Sequence, residues 1–244
     1  MDDVDEVDEA VGHAGEAHGG PLSGRLNRLR AGVLGANDGI VSVAGLVVGV
    51  AGATVERAPI ATAGLAGLVA GAVSMALGEY VSVSSQRDSE AALLAKERRE
   101  LTEDPETELA ELAGLYEAKG LSTQTARAVA EELTAHDALA AHVDAELGID
   151  PDELTSPWQA AGASALAFTL GGLLPLLAIL LPSPTWRVPV TAVAVLLALA
   201  LAGFLGARLG GAAPQRAMLR VVVGGGVGLV ATYGVGTLVG GALG

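Results

Sequence analysis

The chain has 244 residues, of which 51% are hydrophobic and only 17% charged, and a mean hydropathy of +0.49, which is too apolar for an ordinary soluble protein of this length. Its formal net charge of −14 offers nucleic acid nothing to bind, and that charge is unevenly placed: seven of the 28 acidic residues lie in residues 2–16, nineteen run from Glu79 to Glu153, and none follows Glu153. The absence of cysteine excludes disulfides, thiolate zinc sites and cysteine-ligated iron–sulfur clusters, so any bound metal must take oxygen, imidazole or thioether donors.

Residues 1–20 are acidic, rich in glycine and alanine and without an apolar period, so a disordered N-terminal tail is expected over residues 1–24. Its His13 and His18 can catch a metal only loosely, and the default reading is a solvated tail. Five stretches then approach the roughly 20 apolar residues that a bilayer-crossing helix needs. They run about Ala31–Thr54 and Ala58–Ser85 within residues 25–86, then Trp158–Leu181, Val188–Ala207 and Met218–Leu243 within residues 157–244. The first is no cleaved signal peptide, because an acidic tail precedes it and Asn37-Asp38 interrupts its core.

Basic residues gather on the cytoplasmic side of membrane proteins. With the N-terminus inside, twelve of the fourteen Lys and Arg are cytoplasmic, and only Arg57 and Arg187 fall outside. The expectation is therefore an all-α, five-span integral protein of the cell membrane. Its N-terminus and the segment between spans two and three are cytoplasmic, and its C-terminus is outside.

Two carboxylates break the apolar pattern, Asp38 in span one and Glu79 in span two. A charge in hydrocarbon costs about 2.5–3.5 kcal/mol or more, so it is kept where it faces a polar pathway or a partner. Asp38 is the stronger candidate, since no basic residue lies within seven positions of it, whereas Glu79 can instead pair with Arg87 or a basic residue on a neighbouring helix. Asp38 and Ser42 are four residues apart, as are Met75 and Glu79, so each pair lies along one helix face. Carboxylate, hydroxyl and thioether can then line one path, a donor set that favours Fe(II), with Mn(II) also suited, over Mg(II) or Ca(II). The duller reading of Met75 is packing.

Residues 87–156 carry helix punctuation. Asp104 can cap a helix that has Pro105 at its first position, Gly120 can end it, Ser122 can cap the next, and Gly148 can end that one. Three helices are expected: an extension of span two to about Glu103, one over Pro105–Lys119, and one over Thr123–Leu147. Glu97 with Glu100, and Glu108 with Glu111, sit three apart and share a helix face. Such like charges repel, and a divalent cation would reverse the repulsion. Glu146 can join them, with His142 one turn earlier. Glutamate pairs are also common on solvated faces.

Arg30-Ala-Gly-Val-Leu-Gly-Ala-Asn-Asp-Gly-Ile-Val-Ser42 and Gly71-Ala-Val-Ser-Met-Ala-Leu-Gly-Glu-Tyr-Val-Ser-Val-Ser-Ser-Gln-Arg-Asp88 together resemble the vacuolar iron transporter (CCC1-like) family in its prokaryotic type, and the likeness runs from about Leu26 to the end. Gly171-Gly172-Leu173-Leu174-Pro175 resembles another family segment. The resemblance implies a five-span homodimer that exports Fe(II), and often Mn(II), from the cytosol in exchange for protons. It assigns Asp38 and Met75 to the translocation path and makes residues 87–156 a metal-binding domain using Glu97, Glu100, Glu108, Glu111 and Glu146. Where better-studied members carry methionines just before the last glutamate, this chain has His142-Val143-Asp144. Ligating carboxylates must give up their protons, which makes Asp38 or Glu79 the expected point of proton exchange.

No enzymatic activity and no prosthetic group are expected. A di-iron carboxylate enzyme usually needs two Glu-x-x-His pairs, whereas both close pairs here are Glu-x-x-Glu. A membrane scaffold whose acidic insert binds a basic partner leaves Asp38 unexplained. The main alternative is a membrane-anchored metal sensor or storage protein without transport. The glycines of Gly224–Gly228 and Gly236, Gly240 and Gly241 are read as close helix packing; no strand precedes them, so a dinucleotide loop is excluded. Pro175 is expected to kink span three, either opening the path or only fitting a neighbour.

Overall fold

The structure, a computed structural model, describes the backbone of residues 22–148 and 156–243 and the side chains of 32–148 and 156–242; residues 1–21 of the expected disordered tail, with His13 and His18, lie outside these residues, and its last three residues, 22–24, open the first helix. The described chain is all-helical: α1 (Leu22–Ala53), α2 (Arg57–Glu103), α3 (Pro105–Ala118), α4 (Thr123–His142), a π-helical turn (Val143–Leu147), α5 (Pro157–Leu180), α6 (Pro184–Leu209) and α7 (Pro214–Leu243). Five of these helices, α1, α2, α5, α6 and α7, are long and apolar enough to cross a membrane. The protein is an all-α membrane protein.

Helix α1 is the hub of the bundle, packing on α5, α7, α2 and α6. Its Val43, Ala44, Val47 and Val48 are buried in a core shared with Ile60 and Leu68 of α2, Phe168 and Ile179 of α5, and Val195 and Leu199 of α6. Lipid is as apolar as these side chains, so association rests on close backbone approach. Glycines make that approach possible. A Cβ on Gly39 would run into the Phe168 carbonyl, and one on Gly171 into the Ala36 carbonyl. On the other side of α1, Gly236 faces Gly49 and Gly240 faces Ala53 of the same helix. The expected close packing is seen at Gly236 and Gly240, and at Gly225, where a Cβ would strike Leu199; at Gly226 a Cβ would meet Leu196 at an ordinary 3.8 Å, and at Gly224, Gly228 and Gly241 it would meet nothing among the described residues of one copy. Pro175 is fully buried while α5 continues through it to Leu180, so it fits a neighbour.

Helix α2 runs 47 residues without a break, carrying the chain out of the bundle to Glu103. There Asp104 accepts hydrogen bonds from the Thr107 amide at 3.3 Å and hydroxyl at 2.8 Å, capping α3, and Pro105 takes the first helical position, where no amide is needed. Ser122 caps α4 by accepting from the Thr125 amide. Gly120 and Gly148 close α3 and the π-helical turn in the left-handed conformation, with φ of 103° and 61°. One feature departs from the expected continuous helix to Leu147. Asp137 leaves the helical region (φ −157°, ψ 99°), and its side chain accepts from the Ala140 amide, so α4 bends and a short segment restarts before His142. The α3–α4 layer packs through Leu112, Ala113 and Ala130.

At the opposite end of the bundle, Arg187 is 3% exposed and donates from Nη1 to the Val55 carbonyl at 2.9 Å, tying the start of α6 to the α1–α2 loop.

Gly171→Ala should lower stability by about 1–3 kcal/mol, since the added methyl meets backbone and the helices must separate, whereas Gly224→Ala should stay within about 0.5 kcal/mol. Thermal unfolding of both variants in one detergent measures the difference.

Candidate metal sites

The continuation of α2, the first turn of α3 and the end of α4 each deliver one buried polar side chain to a common point. Glu97, Glu108 and His142 are 3%, 7% and 0% exposed. His142 Nδ1 lies 3.0 Å from Glu97 Oε1 and 3.7 Å from Glu108 Oε2, and one ligand atom from each residue lies within 4.8 Å of the other two. The atoms are close but poorly aligned for hydrogen bonding: Glu97 Oε1, His142 Nδ1 and His142 Nε2 are all buried without a hydrogen-bond partner. Buried polar atoms are rarely left so. A convergent set of two carboxylates and an imidazole, three of whose polar atoms lack a partner, is the donor chemistry of a borderline divalent cation.

The electrostatics point the same way. Burial, followed by the neighbouring carboxylates of Glu146, Glu108 and Glu100, pushes the Glu97 carboxyl up to about 7 from its ordinary 4.5. Burial and then Glu111 raise Glu108, with His142 opposing. A cation placed among these groups would relieve both burial and repulsion.

The five glutamates expected to ligate therefore do not act alike. Glu97 and Glu108 are brought together. Glu100 is held at 2.8 Å by Lys96 on the same helix, and Glu111 and Glu146 are exposed at the margin, near enough to influence the buried pair. His142, placed in the sequence only as a companion to Glu146, supplies the third side chain at the centre. The π-helical turn that follows carries Glu146 beside it; such turns recur at functional sites.

A second polar site lies within the membrane-spanning bundle. A cavity of about 270 Å³ is lined by Asp38, Ser42, Ser74 and Met75, with Gly67, Gly71 and Phe168 completing the wall. The Ser42 hydroxyl donates to Asp38 Oδ1 at 2.8 Å. A side chain on Gly71 would strike the Phe168 ring and one on Gly67 would strike Leu46, so both glycines keep the space open. Ser42 and Ser74 are exposed, and the cavity opens to the outside of a single copy between α1 and α2. Glu79, one turn beyond Met75, is not among the lining residues; beside it Tyr80 packs against Trp158 with ring centroids 4.7 Å apart.

With both sites in view, the comparisons with known proteins bear on what they are for. The VIT family model matches residues 29–237, which takes in the first four membrane spans, the insert and most of the fifth span. The chain belongs to the VIT family. It is 45% identical to the vacuolar iron transporter of Acanthamoeba castellanii over 226 residues, covering 92% of this chain and 83% of that one. It is 40% identical to vacuolar iron transporter homolog 1 of Oryza sativa subsp. japonica, covering 95% and 83% of the two chains. Homolog 3 of Arabidopsis thaliana is 38% identical, covering 89% and 86%. The matched segment of this VIT-family chain includes Asp38, Met75, Glu97, Glu108 and His142.

The upward shift of the Glu97 carboxyl fixes the sign of a pH effect. Between about 4.5 and 7 the folded state holds a proton that the unfolded chain has released, so stability of the metal-free protein should fall as pH rises through this window. Thermal unfolding in chelator should show a lower midpoint at the upper end than at the lower, and Glu97→Gln should flatten the slope. His142→Ala should weaken Mn(II) binding to the detergent-solubilised protein by at least about tenfold, measured by calorimetry.

Proposed function

We propose that this protein carries Fe(II), Mn(II) or both out of the cytosol across the cell membrane in exchange for protons. The observation that carries the reading is the cavity of Asp38, Ser42, Ser74 and Met75 at the α1–α2 face: hard oxygen donors and one soft thioether grouped inside apolar spans. Polar groups at that depth are expensive unless they serve a path. The names of the relatives agree with iron as a substrate.

In this reading the insert faces the cytoplasm and acts first. Glu97, Glu108 and His142 take the ion from dilute solution, while Glu100, Glu111 and Glu146 raise its local concentration through their charge. The ion then passes to Asp38 and Met75. A carboxylate must be unprotonated to ligate, so metal arrival and proton departure at Asp38 are linked, and reprotonation from the far side releases the metal. Glu79 serves the passage between the two sites. The cavity's open side calls for a cover other than hydrocarbon. A second copy, applied through the same α1–α2 face by two-fold symmetry, supplies that cover, so the working unit is a homodimer with two such sets facing one another. The rival reading, a membrane-anchored sensor or store, uses the insert cluster alone and gives the membrane cavity no task.

Flux measured in proteoliposomes with an internal pH dye tests the proposal. Fe(II) or Mn(II) movement should drive opposite proton movement, and Asp38→Ala should abolish both. Glu97→Gln/Glu108→Gln should raise the metal concentration needed for half-maximal flux by at least about tenfold while leaving flux at saturating metal. Metal binding without flux under any gradient would overturn transport in favour of sensing or storage.

A further inference from the structure

A larger cavity lies behind α1, on the side away from Asp38. It spans about 490 Å³ between α1, α6 and α7, with walls that include Val33, Ala202, Gly206, Ala217 and Val221, and among the described residues Asn37 is the one polar side chain in its lining. Its size is that of a ligand pocket and its lining is apolar, so it suits neither a metal ion nor ordered water. Basic residues flank the lining on α7. Arg216 and Arg220 each immediately precede a lining residue, Ala217 and Val221, whereas Arg208 lies over the Phe204 ring, which is not part of the lining. Arg216 and Arg220 are exposed, at the end of the bundle from which the insert emerges. Neither pairs with a described acidic side chain, and no acidic residue follows Glu153 in the sequence, so α7 brings no counter-charge of its own.

We propose that this cavity binds an anionic phospholipid drawn from the leaflet on the insert's side. One acyl chain lies between α1, α6 and α7, and the phosphate sits on Arg216 and Arg220. Guanidinium groups match phosphate oxygens in paired hydrogen bonds, and basic pockets between membrane helices at this level hold lipid headgroups. The apolar volume selects a lipid over free phosphate, which has nothing to place there. Small side chains keep the volume open: a Cβ on Gly206 would come within 3.1 Å of Val33, and one on Gly203 within 3.1 Å of the Met218 backbone. Asn37 and Asp38 are consecutive on α1 but line opposite cavities. A lipid in place therefore braces the helix that carries Asp38 from behind.

The test uses full-length protein in nanodiscs of mixed phosphatidylcholine and phosphatidylglycerol, released into detergent and examined by native mass spectrometry for retained lipid. The wild type should retain phosphatidylglycerol in preference. Arg216→Gln/Arg220→Gln should lose the preference, by about fivefold for each arginine. Ala217→Leu, which fills the cavity and leaves the arginines alone, should lose the lipid as well; Ala202→Leu fills the same space from α6 should the first variant fold poorly. If both filling variants retain phosphatidylglycerol like the wild type, the lipid is annular and the cavity assignment is wrong. If the arginine variant keeps its preference, or inorganic phosphate displaces the bound species, the headgroup assignment is wrong.

Discussion

The structure is organised around one costly placement, a carboxylate on the central helix of a membrane bundle. Asp38 must lie beside α2 to meet Met75 and Ser74, and α1 must at the same time be the surface on which α5, α6 and α7 assemble. Both demands are met by packing that brings backbones together, with Gly39 and Gly171 against α5 and Gly236 and Gly240 against α7. The glycines fix α1 by shape, because lipid gives helices no hydrophobic reason to associate. The polar face is then left free to be polar. The hydroxyl of Ser42 answers one oxygen of Asp38, and the rest of the carboxylate's coordinating capacity stays available.

The insert solves a related problem in a wetter setting. Two carboxylates and an imidazole are buried together with little hydrogen bonding to compensate, a state that a soluble domain avoids unless something else completes it. The surrounding exposed carboxylates make the arrangement worse for the metal-free protein and better for a cation. The 47-residue α2 joins the two sites covalently, since the same helix carries Met75 in the membrane and Glu97 outside it.

Much of this was legible in the sequence because the signals are local. Long apolar runs mark spans, and the absence of any breaker between Pro59 and Glu103 marks a helix that leaves the membrane without ending. Asp104-Pro105 and Ser122 announce their caps, and both were found in place. What spacing did not reveal was which glutamates meet. Residues three apart share a face, yet Glu97 turns inward while Glu100 pairs with Lys96, and Glu108 turns inward while Glu111 faces solvent. Only the packing of three helices separates the members of each pair. The bend at Asp137 was equally hidden, because an aspartate within a helical run looks like a solvated surface residue. Its signal was the aspartate itself, a residue type that caps helices; here it accepts from the Ala140 amide, and the restarted segment carries His142 to the cluster. Met75 and Glu79 share a face by period, but the cavity ends at Met75.

The central claim, that the Asp38 cavity is part of a metal path and not a packing defect facing lipid, is open to one direct measurement, and the cysteine-free chain provides a silent background for it. Ser74→Cys in reconstituted protein is treated with a membrane-impermeant thiol reagent, with and without Mn(II), alongside Leu77→Cys as a position one turn away outside the cavity lining. The account predicts that Cys at 74 reacts, that Mn(II) slows the reaction, that Asp38→Asn removes this protection, and that Cys at 77 stays inert. Equal inertness at both positions, or reaction at 74 indifferent to Mn(II), would contradict it.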